Sequence, residues 1–199
     1  MNKRVLLVTG SPGVGKTTVL LKTVDALKAR GFSVGGMVSR EVRSCGTRVG
    51  FEVTDLCTGK TGWLAHINQE CGPKVGKYRV NLGDLESVGV EAVQKANEEC
   101  DSVAVDEVGP MELFSEKFRT AVKTAVEGQE PVISTVHWKA EDRLLKMMKA
   151  RQDADTFVVT WESRENLPAT IAGKALECLT ATVLEREHSD NRRRTKRAR

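Results

Sequence analysis

The sequence predicts a three-layer α/β fold around a parallel sheet. Three observations carry this expectation. Short apolar runs suited to buried strands recur at 5–9, 33–40, 102–106, 131–136 and 156–160. Segments with helical apolar spacing lie between them, long enough for crossovers rather than tight turns. The first run breaks straight into a glycine-rich loop and then a helix. At 199 residues, with 40% hydrophobic composition, the chain can build one real core.

Each element has a local reason. Val5–Thr9 is a buried-type strand. Lys16–Arg30 sets Leu20, Val24 and Leu27 on one helical face, and Gly31 is a natural stop. Ser33–Arg40 is the second strand. From Glu41 to about Val80 the character changes: glycines multiply, β-like pieces stand at Arg48–Val53 and Gly62–Ala65, and Asp55–Thr61 reads as a turn. This is an inserted β-hairpin (41–80), not a separate domain. Asp84 is placed to cap a helix reaching about Glu98. Ser102–Asp106 is the third core strand, and Ser115 caps a helix ending near Gly128. Pro131–Val136 is the fourth strand, a helix follows around Ala140–Ala150, and Thr156–Thr160 is the fifth. A last helix runs from about Glu165 to Glu187, with Leu167, Ile171, Leu179 and Val183 roughly on one face. Residues 1–187 therefore read as a single domain and 188–199 as a basic tail.

Charge is unevenly placed. The chain has 31 Lys and Arg against 27 Asp and Glu, but Arg192–Arg199 alone holds six of the basic residues and no acid. The body is slightly acidic. The tail is either a solvated end or a weak electrostatic contact for RNA or another polyanion, and it lacks aromatic residues for base stacking. The five cysteines form no C-x-x-C pair and read as reduced packing thiols of a cytoplasmic protein. No apolar run approaches a membrane span, and the chain enters a strand without a signal peptide. A monomer without membrane contact is expected.

Gly10-Ser11-Pro12-Gly13-Val14-Gly15-Lys16-Thr17, followed by Thr18, fits the phosphate-loop pattern G-x-x-x-x-G-K-[ST] in full. The glycines let backbone N–H groups turn toward a phosphate chain, and the helix that starts there adds its dipole. Lys16 suits the β- and γ-phosphates, and the Thr17 hydroxyl suits Mg²⁺. A second segment, Val103-Ala104-Val105-Asp106-Glu107-Val108-Gly109-Pro110, is a hydrophobic strand ending in two acids. Asp106 stands where a P-loop fold holds Mg²⁺, and Glu107 can take a proton from an attacking water. A Glu beside that Asp points to the branch resembling RecA and AAA proteins, with core strand order 5-1-4-3-2. Strands four and five then flank the loop strand. His137 past strand four is a candidate for the γ-phosphate or the water. Trp161 and Arg164 past strand five are candidates for stacking on the base. No N-K-x-D guanine-reading sequence is present.

With these residues in hand, the sequence resembles the small nucleoside-triphosphatases of the thermophile and cancer-related NTPase family. The likeness rests on TGSPGVGKTT (9–18), GGMVSREVRSCGTRVGFEV (35–53), VGKYRVNL (75–82), VDEVGPMEL (105–113) and STVH (134–137), and extends to about Thr182. It implies hydrolysis of ATP, GTP, CTP and UTP to diphosphates with Mg²⁺ and loose base selectivity, with nucleotide segments at Gly10–Thr17 and Val103–Pro110. The chain departs from the family's Glu-Asn-Arg after the last strand, reading Glu162-Ser163-Arg164. Arg40, Arg43 and Arg48 are candidates for a further cationic contact, or simply a charged edge that discourages sheet aggregation. Two other readings use the same loop: a small-molecule or nucleic-acid kinase, and a nucleotide-switched RNA-binding module.

Overall fold

The structure is a computed structural model that describes residues 3–181. The elements are β1 (Val5–Thr9), α1 (Lys16–Lys28), β2 (Val34–Ser44), β3 (Thr47–Asp55), β4 (Thr61–His66), β5 (Lys74–Val75) and β6 (Tyr78–Val80). A helical stretch then enters through Leu82–Asp84 and a π-helical Leu85–Val90 before becoming regular at α2 (Glu91–Glu99). There follow β7 (Ser102–Val108), α3 (Glu116–Glu127), β8 (Val132–Val136), α4 (Arg143–Ala150) and β9 (Ala154–Val158). A last helix, α5, begins at residue 167 and continues to the end of the described residues.

The nine strands of the described residues join one sheet, ordered β5-β6-β4-β3-β2-β7-β8-β1-β9. The five parallel strands alone read β9-β1-β8-β7-β2, which is 5-1-4-3-2 in chain numbering. The segment after Arg40 is more than an inserted hairpin. β2 runs on through Ser44 and β3, β4, β6 and β5 pair antiparallel beyond it, so the sheet grows at one edge.

Strand alternation builds the three layers. Val5 and Leu7 face α2, α3 and α4, where Val93, Phe118 and Met148 pack with Val103 and Val105. Leu6 and Val8 face α1 and α5, meeting Leu20, Val24, Leu27, Ile171 and Leu179, with Ala104 and Ile133 on the same side. Ser115 caps α3 by accepting the Phe118 N–H. Asp142 caps α4 through the Leu144 N–H and also receives the Arg119 guanidinium, which ties the two helices.

Two local expectations are corrected. Asn81, not Asp84, caps the helix after β6, accepting the Asp84 N–H. The Asp84 carboxylate instead accepts the Trp63 N–H of β4, so it serves the sheet extension. β9 ends at Val158 rather than Thr160: the Val159 N–H still donates to Thr9 O, the last bond of the pairing with β1, and the chain then turns from residue 161. The basic tail and the expected continuation of the last helix from 182 to Glu187 lie outside the described residues. Among the described residues no helix is long and apolar enough to cross a membrane.

Candidate active site

β1 delivers the phosphate loop. Thr9 donates its hydroxyl to Val136 O, which joins the end of β1 to that of β8. Gly13 (φ 77°) and Gly15 (φ 108°) take left-handed conformations that L side chains rarely adopt. Val14 between them is buried in the core and anchors the loop. Gly15 then starts α1, and Val19 N–H returns to its carbonyl. Ser11, Pro12 and Gly13 are exposed, as is Thr18 on the first turn of α1.

β7 brings the acids. Val105 pairs with Ser134 and Val108 with Val136, so β7 spends one more residue than β8 at Asp106–Glu107. Such a bulge re-aims side chains that regular pleating would send to opposite faces. Both acids thereby meet phosphate-loop residues. Thr17 donates to Asp106 Oδ2 at 2.8 Å, and Thr135 donates to Asp106 Oδ1. Lys16 Nζ lies 3.6 Å from Glu107 Oε2. The rest of the segment is scaffold or rim: Val103, Ala104, Val105 and Val108 are fully buried strand residues, while Gly109 and Pro110 line a cavity beside Glu107.

The donor set suits a divalent cation. A hydroxyl and a buried carboxylate converge, and hard cations take oxygen ligands. The carboxylate is also short of positive charge. Burial pushes Asp106 up to about 6, against the hydrogen bonds of Thr135 and Thr17 and the charge of Lys16. Thr17 and Asp106 therefore fit Mg²⁺. Burial raises Glu107 above the usual carboxylate range, although Lys16 pulls it down.

A cavity of about 250 Å³ adjoins Glu107, with His137 and Glu112 on its walls and Ser39, Phe51 and Leu64 from the sheet extension opposite. His137 is half-buried, and its ring Nδ1 accepts the Lys139 N–H. Burial, then the charges of Lys16 and Lys149, lower its pKa and favour the neutral ring.

Glu112 escaped sequence reasoning. It sits in a short 3-10 turn after β7 and is 4% exposed. Burial pushes it up to about 8, despite its own and the Gly109 backbone N–H groups, with Glu107 and Asp106 adding repulsion. A Cβ on Gly109 would stand 3.2 Å from Glu112 Oε2 and 3.3 Å from Glu107 Oε1, so that glycine leaves the space both carboxyls use. The one hint in sequence was an acid inside an otherwise apolar PMELF. The raised value makes a prediction. Folding favours the protonated form, so its contribution is fully present below about pH 4.5 and is lost as pH rises through about 8. Denaturant melts of Glu112→Gln should gain on the wild type from pH 5 to pH 8.5. A constant difference across that range would contradict a buried protonated Glu112.

Past β9, Trp161 and Arg164 come together rather than acting apart. The Arg164 guanidinium lies over the Trp161 ring at 4.6 Å, and Trp161 is 64% exposed. Arg164 Cδ comes within 3.9 Å of where a Gly15 Cβ would be, so the pair borders the phosphate loop. Ser163 closes the turn: Thr160 N–H donates to Ser163 Oγ and Ser163 N–H to Thr160 Oγ1. Arg43 and Arg48 both ion-pair with Glu41 on the sheet extension, and Arg40 is exposed there.

A phosphate loop at the end of β1, flanked by strands four and five and faced by a strand-end Asp-Glu pair, defines a P-loop nucleotide-binding protein. A model of the NTPase family matches residues 5–172, and the chain belongs to that family. It is 44% identical over 173 residues to nucleoside-triphosphatase THEP1 of Thermofilum pendens, covering 86% of this chain and 95% of that one. In fold it is similar to the crystal structure of THEP1 from the hyperthermophile Aquifex aeolicus (TM-score 0.75, 29% identity, 84% of this chain and 96% of the other). It is likewise similar to the solution structure of a human cancer-related nucleoside triphosphatase (TM-score 0.73, 33% identity, 85% and 96%).

Proposed function

We propose that the chain hydrolyses nucleoside triphosphates to diphosphate and phosphate with Mg²⁺ and little regard to the base. The observation that carries this reading is the convergence of Lys16, Thr17, Asp106 and Glu107 from two separate strand ends. The names of the Thermofilum pendens and human relatives, nucleoside-triphosphatase in both, support it. Loop amides and Lys16 hold the β- and γ-phosphates, and Lys16 offsets charge building on the γ-phosphate oxygens. Thr17 and Asp106 hold Mg²⁺, which when bound neutralises phosphate oxygen charge. Glu107 orients a water in the adjoining cavity and takes its proton. Its raised pKa brings it nearer neutrality, where a general base is most effective. The neutral His137 ring lines the same cavity and orients the water or a γ-phosphate oxygen. The test is a panel of ATP, GTP, CTP and UTP with Mg²⁺ and no added acceptor, scored for free phosphate and for the nucleotide product. Absence of phosphate release from all four would overturn the reading.

Three expectations follow from the metal and base contacts. Asp106→Asn should raise the Mg²⁺ concentration needed for half-maximal rate, read from a Mg²⁺ titration at saturating ATP. An unchanged requirement would remove Asp106 from the metal site. The stacked Trp161–Arg164 pair offers a flat surface beside the loop, and stacking does not read hydrogen-bond patterns. The four triphosphates should therefore be cleaved with efficiencies within about tenfold, or ~1.4 kcal/mol. Trp161→Ala should raise KM for all four by a similar factor and leave kcat nearly alone, the mark of lost uniform binding. A loss confined to one base would mean that the site reads hydrogen bonds.

A further inference from the structure

A pair of thiols lies toward the other end of the parallel strands. Cys57, in the turn between β3 and β4, and Cys100, just past α2, bring their Sγ atoms to 3.9 Å. Among the described residues no other two thiols are in such contact. Gly35 of β2 makes the room. A Cβ there would stand 2.8 Å from each sulfur and 2.9 Å from Ala96 Cβ, distances that real Cβ atoms do not show. The two sulfurs thus fill a space that any side chain on Gly35 would take away.

We propose that Cys57 and Cys100 form a covalent modification site for low-molecular-weight disulfides of the glutathione type, which they convert to a Cys57–Cys100 bridge. Cys57 is exposed and Cys100 half-buried, so Cys57 is the point of entry. Burial, then the neighbouring Cys57 sulfur and the Asp101 and Glu99 carboxylates, push the Cys100 thiol up to about 11 and keep it protonated until it closes. In the first step the Cys57 thiolate attacks one sulfur of RSSR. A Cys57–S–S–R bond forms, the R–S–S–R bond breaks, and RS⁻ leaves to take a proton from water. In the second step Cys100 gives its proton to solvent and its sulfur attacks Cys57 Sγ. The intramolecular bond forms, and the second RS⁻ leaves and is protonated. Two protein thiols are oxidised, and one RSSR is reduced to two RSH. The sulfurs stand in contact at 3.9 Å and must close to a bonded ~2.05 Å.

The bridge would tie the end of α2 to the β3–β4 turn across 43 residues of chain. It lies apart from the nucleotide loops: Gly35 pairs with Val103, three residues before Asp106, or about 10 Å along the strand. Neither step uses a nucleotide, so its failure and that of the hydrolytic reading are distinguishable.

The experiment treats the full chain with oxidised glutathione at pH 8, traps free thiols, and maps peptides by mass without reduction. The expected result is peptides containing residues 57 and 100 joined with loss of two hydrogens, while exposed Cys45 and Cys71 retain glutathione. In Cys100→Ser, glutathione should stay on Cys57. In Cys57→Ser, Cys100 should remain largely unmodified. Glutathione accumulating on Cys57 of the wild type as it does on Cys45 and Cys71 would overturn the proposal. So would modification of Cys100 in Cys57→Ser at the rate of the exposed thiols.

Discussion

Lys16→Ala should cut turnover by about 10²–10³-fold or more, in keeping with the loss of a preorganised charge at a developing anion. Triphosphate binding should weaken with it. The Lys16 side chain is only 11% exposed and its ammonium sits 3.6 Å from Glu107, so in the proposed reaction the β/γ oxygens and the base depend on one cation. The variant would also remove a charge that lowers the His137 pKa, after burial the largest influence on that ring. An upward move of His137 in an NMR titration would report the lost charge, and amide shifts unchanged away from the loop would show that the fold survives. The decisive measurements are kcat, KM and nucleotide affinity. Turnover at the wild-type level would sink the phosphate-loop assignment.

Glu107→Gln should behave differently. The amide keeps the shape of the carboxyl but cannot take a proton from water, and a general base is worth about 10²–10⁴-fold. Nucleotide and Mg²⁺ should still bind, because Thr17 and Asp106 remain paired and Lys16 is relieved of its ion pair. A large fall in kcat with retained affinity is therefore the expected pattern. If the rate is unchanged, the base is elsewhere. His137, neutral and on the wall of the same cavity, then becomes the first residue to replace.

Much of this arrangement was legible in the sequence. The loop Gly10–Thr17 is local chemistry: its glycines, lysine and threonine act within one strand–turn–helix unit, so adjacency in chain means adjacency in space. The alternation of apolar strands and helices likewise specified the layers, because each period exposes one face that must be buried. The Asp-Glu pair at the end of a hydrophobic run was visible for the same reason.

What the chain order could not express was decided by packing. The bulge at Asp106–Glu107 depends on the register with β8, and it lets two consecutive acids serve one site. Glu112 and Glu107 both reach the space beside Gly109, where a Cβ would crowd the two carboxyls. Asp84 left its expected cap for a β4 backbone N–H that is 21 residues away. Arg43 and Arg48 were held at Glu41 by strand pairing. By itself, then, the sequence determined the fold layers, the phosphate loop and the acidic strand end, since each follows from periodicity or a contiguous motif. Only the tertiary structure decided which carboxyls share charge, which aromatic lies under which guanidinium and which thiols touch. The thiol contact joins residues 43 apart in the chain. Although Trp161 and Arg164, or Glu107 and Glu112, are close in sequence, whether they meet depends on backbone path, burial and distance that no local pattern encodes.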